Sequence, residues 1–128
     1  METTVLLVED DNNMRMLLEH LLKRNDMQVI SFEDGQSAVE YIQTNPPAEL
    51  ALLDLYLPFK NGFEILKELK KSKSWENIPT VMITASDAGD DMEKAFRLGA
   101  DDYIEKPIDT RKTIARINKF LKTNSWLR

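Results

Sequence analysis

"LALLDLYLP", Leu50 to Pro58, places four apolar residues ahead of one carboxylate, Asp54, and reaches a turn signal at Pro58. Its length suits a strand. The lack of polar alternation before Asp54 suits a strand covered on both faces, as in a parallel sheet. An unpaired ion in such an interior is costly, or it shifts its pKa until it neutralises. The acid therefore needs a reason to be there.

Similar runs recur along the chain. Val5–Val8 and Pro79–Ile83 are continuous and apolar, and weaker runs lie at Gln28–Phe32 and Asp102–Ile104. Between them the period changes to that of amphipathic helices. Met14, Leu17, Leu18, Leu21 and Leu22 form one stripe; Ala38, Val39 and Ile42 a second; Phe63, Leu66 and Leu69 a third. Met92, Ala95 and Phe96 form a fourth, and Ile114, Ile117, Phe120 and Leu121 a fifth. Asp34-Gly35 and Pro46-Pro47 punctuate the chain, Gly99 sits where a helix C-cap belongs, and Pro79 opens a strand. Five strands alternating with five helices predict a three-layer α/β domain with right-handed crossovers. With no internal repeat or low-complexity segment, residues 1–128 are expected to form a single domain, with a core of about 4–122 and a short tail.

The bulk numbers narrow the function. The formal charge of −5 speaks against a nucleic-acid binder. Cysteine is absent, which removes disulfides, thiol nucleophiles and thiolate metal sites. A reducing, cytoplasmic setting fits this composition. No run approaches the roughly 18 apolar residues of a membrane span, and METTVLLVED lacks the basic region and cleavage site of a signal peptide. The C-terminal stretch after Asp109 carries Arg111, Lys112, Arg116, Lys119, Lys122 and Arg128 without an acid. That pattern reads as a solvated face of the last helix, or as a docking surface for an acidic partner.

In open parallel α/β sheets, sites form at the carboxyl ends of strands. Glu9, Asp10 and Asp11 follow the first run, Asp54 ends the third, Thr84 follows the fourth and Lys106 the fifth. Crowded carboxylates raise each other's pKa unless a cation joins them. Lys106 supplies one charge, and a hard divalent cation would complete the balance. Oxygen ligands without His or Cys suit Mg²⁺, or Mn²⁺ in its place. Asp54 could then act as a nucleophile toward a phosphoryl group, with the charge that develops met by Lys106 and Thr84. Asp54 need not be buried, because the carboxyl end of a parallel strand is expected to open into a cleft.

Four stretches, "VLLVEDD", "LLDLYLPFKNG", "VMITAS" and "GADDYIEKPI", together resemble the receiver domain of two-component response regulators over essentially the whole chain. The resemblance implies a flavodoxin-like, doubly wound, five-stranded parallel sheet of order 2-1-3-4-5. It makes Asp54 the phosphoacceptor, and Asp10 a direct Mg²⁺ ligand with Glu9 acting through water. The backbone carbonyl of Tyr56 becomes a further ligand. Thr84 matches the switch hydroxyl, Lys106 the lysine that pairs with the phosphoryl group, and Tyr103 an aromatic whose rotamer follows Thr84. Lys106-Pro107 matches a bond that is commonly cis. Tyr56 and Ser86 stand where the family tunes phosphoryl lifetime, and Glu9 replaces the commoner Asp.

The implied partners are a histidine kinase or histidine phosphotransfer protein and an unidentified downstream protein target. The implied chemistry is self-catalysed phosphotransfer and autodephosphorylation, as a monomer or a phosphorylation-dependent dimer. The output face would be that of the fourth helix, fifth strand and fifth helix. The alternative is a phosphorylation-independent interaction module on the same fold. A haloacid-dehalogenase-type hydrolase needs a second acid two residues after the nucleophile, where this chain has Tyr56. A flavodoxin-like FMN carrier needs a hydroxyl-rich loop where this chain has Glu9, Asp10 and Asp11. Asp11 is expected to start the first helix, His20 to face solvent, and Trp75 to pack locally. Trp126, in the tail, could anchor a partner.

Overall fold

Five of the apolar runs become parallel strands because each is flanked by an amphipathic helix that can cover it. In a computed structural model the described residues are 3–85 and 89–126, with side chains described through Leu121. The elements alternate as β1 (Thr3–Val8), α1 (Asn12–Arg24), β2 (Met27–Phe32), α2 (Gly35–Thr44) and β3 (Leu50–Asp54). They continue as α3 (Gly62–Lys71), β4 (Thr80–Thr84), α4 (Gly89–Arg97), β5 (Asp102–Glu105) and α5 (Thr110–Trp126). The strands form one sheet in the order β2-β1-β3-β4-β5, and every pairing is parallel. This is the flavodoxin-like arrangement expected from the sequence.

Alternation within each buried strand feeds two cores. Leu6, Val8, Ala51, Leu53 and Met82 face α2, α3 and Ala95 of α4. Val5, Leu7, Leu50, Leu52, Val81 and Ile83 face Leu18 and Leu22 of α1 and Ile117 of α5. The stripe of α1 is narrower than expected: Leu18 and Leu22 are buried, but Leu17 is 42% exposed. At 100° per residue, Leu17 lies a quarter turn from Leu18 and so falls off the sheet-facing edge. Phe96 on α4 is likewise exposed. Trp75 is fully buried, with its indole N–H donating to the Asn45 carbonyl at 3.0 Å and its ring edge-on to Tyr41. Packing accounts for it. His20 faces solvent, whereas Trp126, Lys122 and Arg128 have side chains outside the described residues.

Side-chain caps set the helix starts. Asp11 accepts from the Met14 N–H at 3.1 Å, Asp34 from Ser37 at 2.8 Å, and Asn61 forms a reciprocal capping box with Glu64. Asp11 therefore belongs to α1. Gly99 ends the α4 segment at φ +109°, a left-handed conformation that glycine adopts without Cβ strain.

Candidate functional site

The register decides what meets at the sheet's carboxyl edge. Val8 lies beside Leu53, Asp54 beside Ile83, and Thr84 beside Glu105. Glu9, Asp54, Thr84 and Lys106 are thus brought to one edge by the neighbouring strands β1, β3, β4 and β5. The ligand-capable oxygens of Glu9, Asp10 and Asp54 lie within 4.8 Å of one another. Lys106 Nζ stands 2.9 Å from Glu9 Oε1 and 3.4 Å from Asp54 Oδ2. The Lys106-Pro107 bond is cis, and the Lys106 N–H donates to the Thr84 carbonyl at 2.8 Å, which fixes the lysine's root against β4.

Burial corrects one expectation. Asp54 does not stand in an open cleft: it is 4% exposed, and Glu9 is fully buried. Asp10 and, in part, Lys106 keep the site in touch with solvent. Lys106 closes on the carboxylate, and the loop after β3 returns against the main chain beneath it: the Leu55 N–H continues the ladder to the Ile83 carbonyl at 2.9 Å, and the Gly62 N–H donates back to Leu55 at 2.7 Å. The approach is tight enough to exclude a side chain. A Cβ on Gly62 would lie 2.5 Å from the Asp54 carbonyl oxygen and 2.8 Å from the Leu55 Cα.

Gly62→Ala sets a gain in helix propensity of up to about 1 kcal/mol against an overpacking cost of about 1–3 kcal/mol. The colliding atoms are backbone and yield little, so the clash should win. The urea midpoint is expected to fall by an amount equivalent to about 1–2 kcal/mol; a rise would contradict the tight approach.

Burial raises the Asp54 carboxyl from 3.8 to about 7, contact with and repulsion from Glu9 add to this, and Lys106 offsets it only in part. Burial acts to lower the Lys106 ammonium, but the carboxylates of Glu9 and Asp54 outweigh it, and its pKa is raised overall. Glu9 Oε1 makes its ion pair with Lys106 without hydrogen-bond alignment and has no donor among the described residues. Two buried acids share one ammonium beside a third, exposed acid. That donor set, all carboxylate oxygen and short of positive charge, fits a hard divalent cation.

Thr84 is fully buried at the end of β4, and Tyr103 is 3% exposed on β5. Ser86 lies outside the described residues. Tyr56 is exposed, and its hydroxyl donates to Asp91 Oδ2 on α4. Two contributors escaped the sequence reading. Arg15 donates to the Glu9 carbonyl at 2.9 Å while pairing with Glu33 at 3.5 Å, which braces the acidic turn from α1. Its one sequence signal is a place on the first turn and a half of the helix that follows the acids. Asp91 gave no signal, because its role depends on where α4 sits.

Comparison with known proteins shows the family and the fold. Residues 5–118 match the family described as the response regulator receiver domain. The transcriptional regulatory protein CpxR of Escherichia coli is 36% identical over 122 residues, covering 95% of this chain and 50% of CpxR. The chain thus spans about half the length of that relative. A CheY-like receiver domain protein of Methanospirillum hungatei superposes with a TM-score of 0.90 at 23% identity, covering 100% of both chains. The receiver domain of the sensor histidine kinase PA1611 of Pseudomonas aeruginosa, which holds a magnesium ion in its active-site cleft, gives 0.87 at 23% identity, covering 95% of this chain and 99% of that one.

Proposed function

Since the chain belongs to the response regulator receiver domain family of two-component systems, we propose that Asp54 is its phosphoacceptor and that residues of about 4–122 form the working receiver core. The observation that supports this reading most is the meeting of Glu9, Asp10 and Asp54 with Lys106 at ion-pair distance from two of them. Structural acids at strand ends cap loops; these crowd together at a cost in pKa.

In the proposed reaction an Asp54 carboxylate oxygen attacks the phosphorus of a phosphohistidine. The N–P bond breaks with its electron pair going to the imidazole, and an O–P bond forms, leaving an acyl phosphate on Asp54. Lys106 holds the charge of the phosphoryl oxygens, and the Thr84 hydroxyl donates to one of them. Glu9, Asp10, Asp54 and the Tyr56 carbonyl would hold Mg²⁺, or Mn²⁺, whose charge keeps Asp54 ionised and screens its repulsion from the incoming phosphoryl group. The product adds about −1.5 to −2 charge, by analogy with other phosphorylated side chains. That charge draws Thr84 toward it, Tyr103 follows, and the face of α4, β5 and α5 shifts its population.

The partners in this reading are a histidine kinase or phosphotransfer protein upstream and a protein target downstream, in the cytoplasm. None of the described helices is long and apolar enough to cross a membrane. Intact-mass spectrometry after incubation with acetyl phosphate and Mg²⁺ tests the assignment. One phosphoryl adduct is expected on the wild type and none on Asp54→Asn. An equal adduct on the variant would overturn the assignment, and no adduct on either protein would favour a phosphorylation-independent interaction module.

A further inference from the structure

Helix α4 is lightly held. Among its residues Ala95 is buried, Met92 packs at the edge of the core, and Phe96 is exposed. Lys94 Nζ lies 4.4 Å above the Phe63 ring of α3. To these ties is added one from the loop after β3: the Tyr56 hydroxyl donates to Asp91 Oδ2 in the first turn of α4. Elements with little buried apolar surface open most easily. One hydrogen bond to a charged acceptor, worth more than its neutral counterpart, is then a sizeable share of what positions this helix.

The tyrosine making that bond is not placed by burial. It is 59% exposed, so its ring gains little from packing, and its orientation depends on polar contacts. It also stands two residues after Asp54, and the proposed function uses its main-chain carbonyl as a ligand. We infer that Tyr56 is a positioning residue that transmits cation occupancy of the Glu9–Asp10–Asp54 site to α4 through its hydroxyl, independently of Thr84 and Tyr103. The inference rests on the cation-site reading above. Ligation by the carbonyl fixes the main chain of Tyr56, the phenol is held with it, and Asp91 carries the constraint into the first turn of α4. A ligand moves such an equilibrium only as far as it binds the two states differently. Here the difference is whether the anchor of α4 is fixed or mobile.

Amide hydrogen exchange of residues 89–97, with Mg²⁺ alone as the probe, reads this directly. Each variant is compared at Mg²⁺ concentrations that saturate its own shift in melting temperature. In the wild type, Mg²⁺ is expected to slow exchange in α4 by about fivefold, as one hydrogen bond's worth of opening free energy. Tyr56→Phe keeps the ring and the carbonyl but removes the donor, and should abolish the slowing. Asp91→Ala should do the same. Asp91→Asn keeps an acceptor oxygen but loses its charge, and should give a response between those of the wild type and Asp91→Ala. Equal slowing in the wild type and Tyr56→Phe would overturn the inference while leaving the cation site intact. No Mg²⁺-dependent shift in the wild type would instead remove the cation site, and the coupling with it.

Discussion

Asp54→Asn is expected to stabilise the metal-free protein at pH 8 by about 4 kcal/mol, the free energy that corresponds to raising a carboxyl from 3.8 to about 7. The sign follows from linkage. With its folded pKa above its unfolded one, Asp54 binds more protons in the native state than in the unfolded chain between those two values. Stability therefore falls as pH rises from about 4 to about 7 and levels off above. Below about pH 4 both states are protonated and the burial penalty vanishes. Asparagine carries no charge at any pH, so its advantage should be absent in acid and complete in mild alkali. Chemical denaturation in chelator at a series of pH values checks this. A variant no more stable than the wild type at pH 8 would show that the carboxylate is better solvated than its burial implies. Added Mg²⁺ should narrow the gap, because a ligand that binds only the native wild-type site stabilises it by mass action, by about 2.7 kcal/mol at a hundred times its Kd. A carboxylate held in a state that costs stability accords with the proposed role of Asp54, since strain of this kind gathers at functional sites.

The sequence reading reached the fold because parallel strands covered on both faces lose polar alternation, as Leu50–Leu53 does. Strands β2 and β5 were harder, since edge strands such as these are less covered; β2 has only Met27 buried. The charged members of the site were also readable, because each acid or lysine lies at or just after the end of a strand, and strand ends in a parallel sheet converge. Depth was not readable. Whether Asp54 is open or covered depends on distant parts of the chain, Glu9 and Lys106 among them, and nothing local to Asp54 encodes their approach. The same limit applies to Tyr103, whose cover comes from packing against distant elements, and to Leu17, where the period was right but the width of the buried stripe was not. The bond from Tyr56 to Asp91 spans 35 residues and joins two surface side chains, so no hydrophobic pattern marks it.

Lys106→Met should be the converse of Asp54→Asn, costing about 3–5 kcal/mol at pH 8 in chelator, the range for removing one partner of a buried ion pair. Among the described residues, Lys106 alone stands within ion-pair distance of Glu9 and Asp54. Methionine fills a similar volume, so lost packing contributes little and the effect is electrostatic. Two buried carboxylates would then face each other without a cation. Because Lys106 lowers the Asp54 pKa, its removal should raise that pKa further and extend the fall in stability above pH 7. The loss should shrink toward pH 4, where Asp54 is protonated. A loss below about 1 kcal/mol at pH 8 would place the pair in the range of solvated surface ion pairs. The double variant Asp54→Asn, Lys106→Met separates charge from geometry. With one acid neutralised, the remaining Glu9 has less to repel it, and most of the Lys106→Met penalty should disappear. Residues in one charge network are not additive. If the two changes instead sum to within about 0.5 kcal/mol, Asp54 and Lys106 do not form one electrostatic unit, and the lysine's contribution must lie with Glu9 alone.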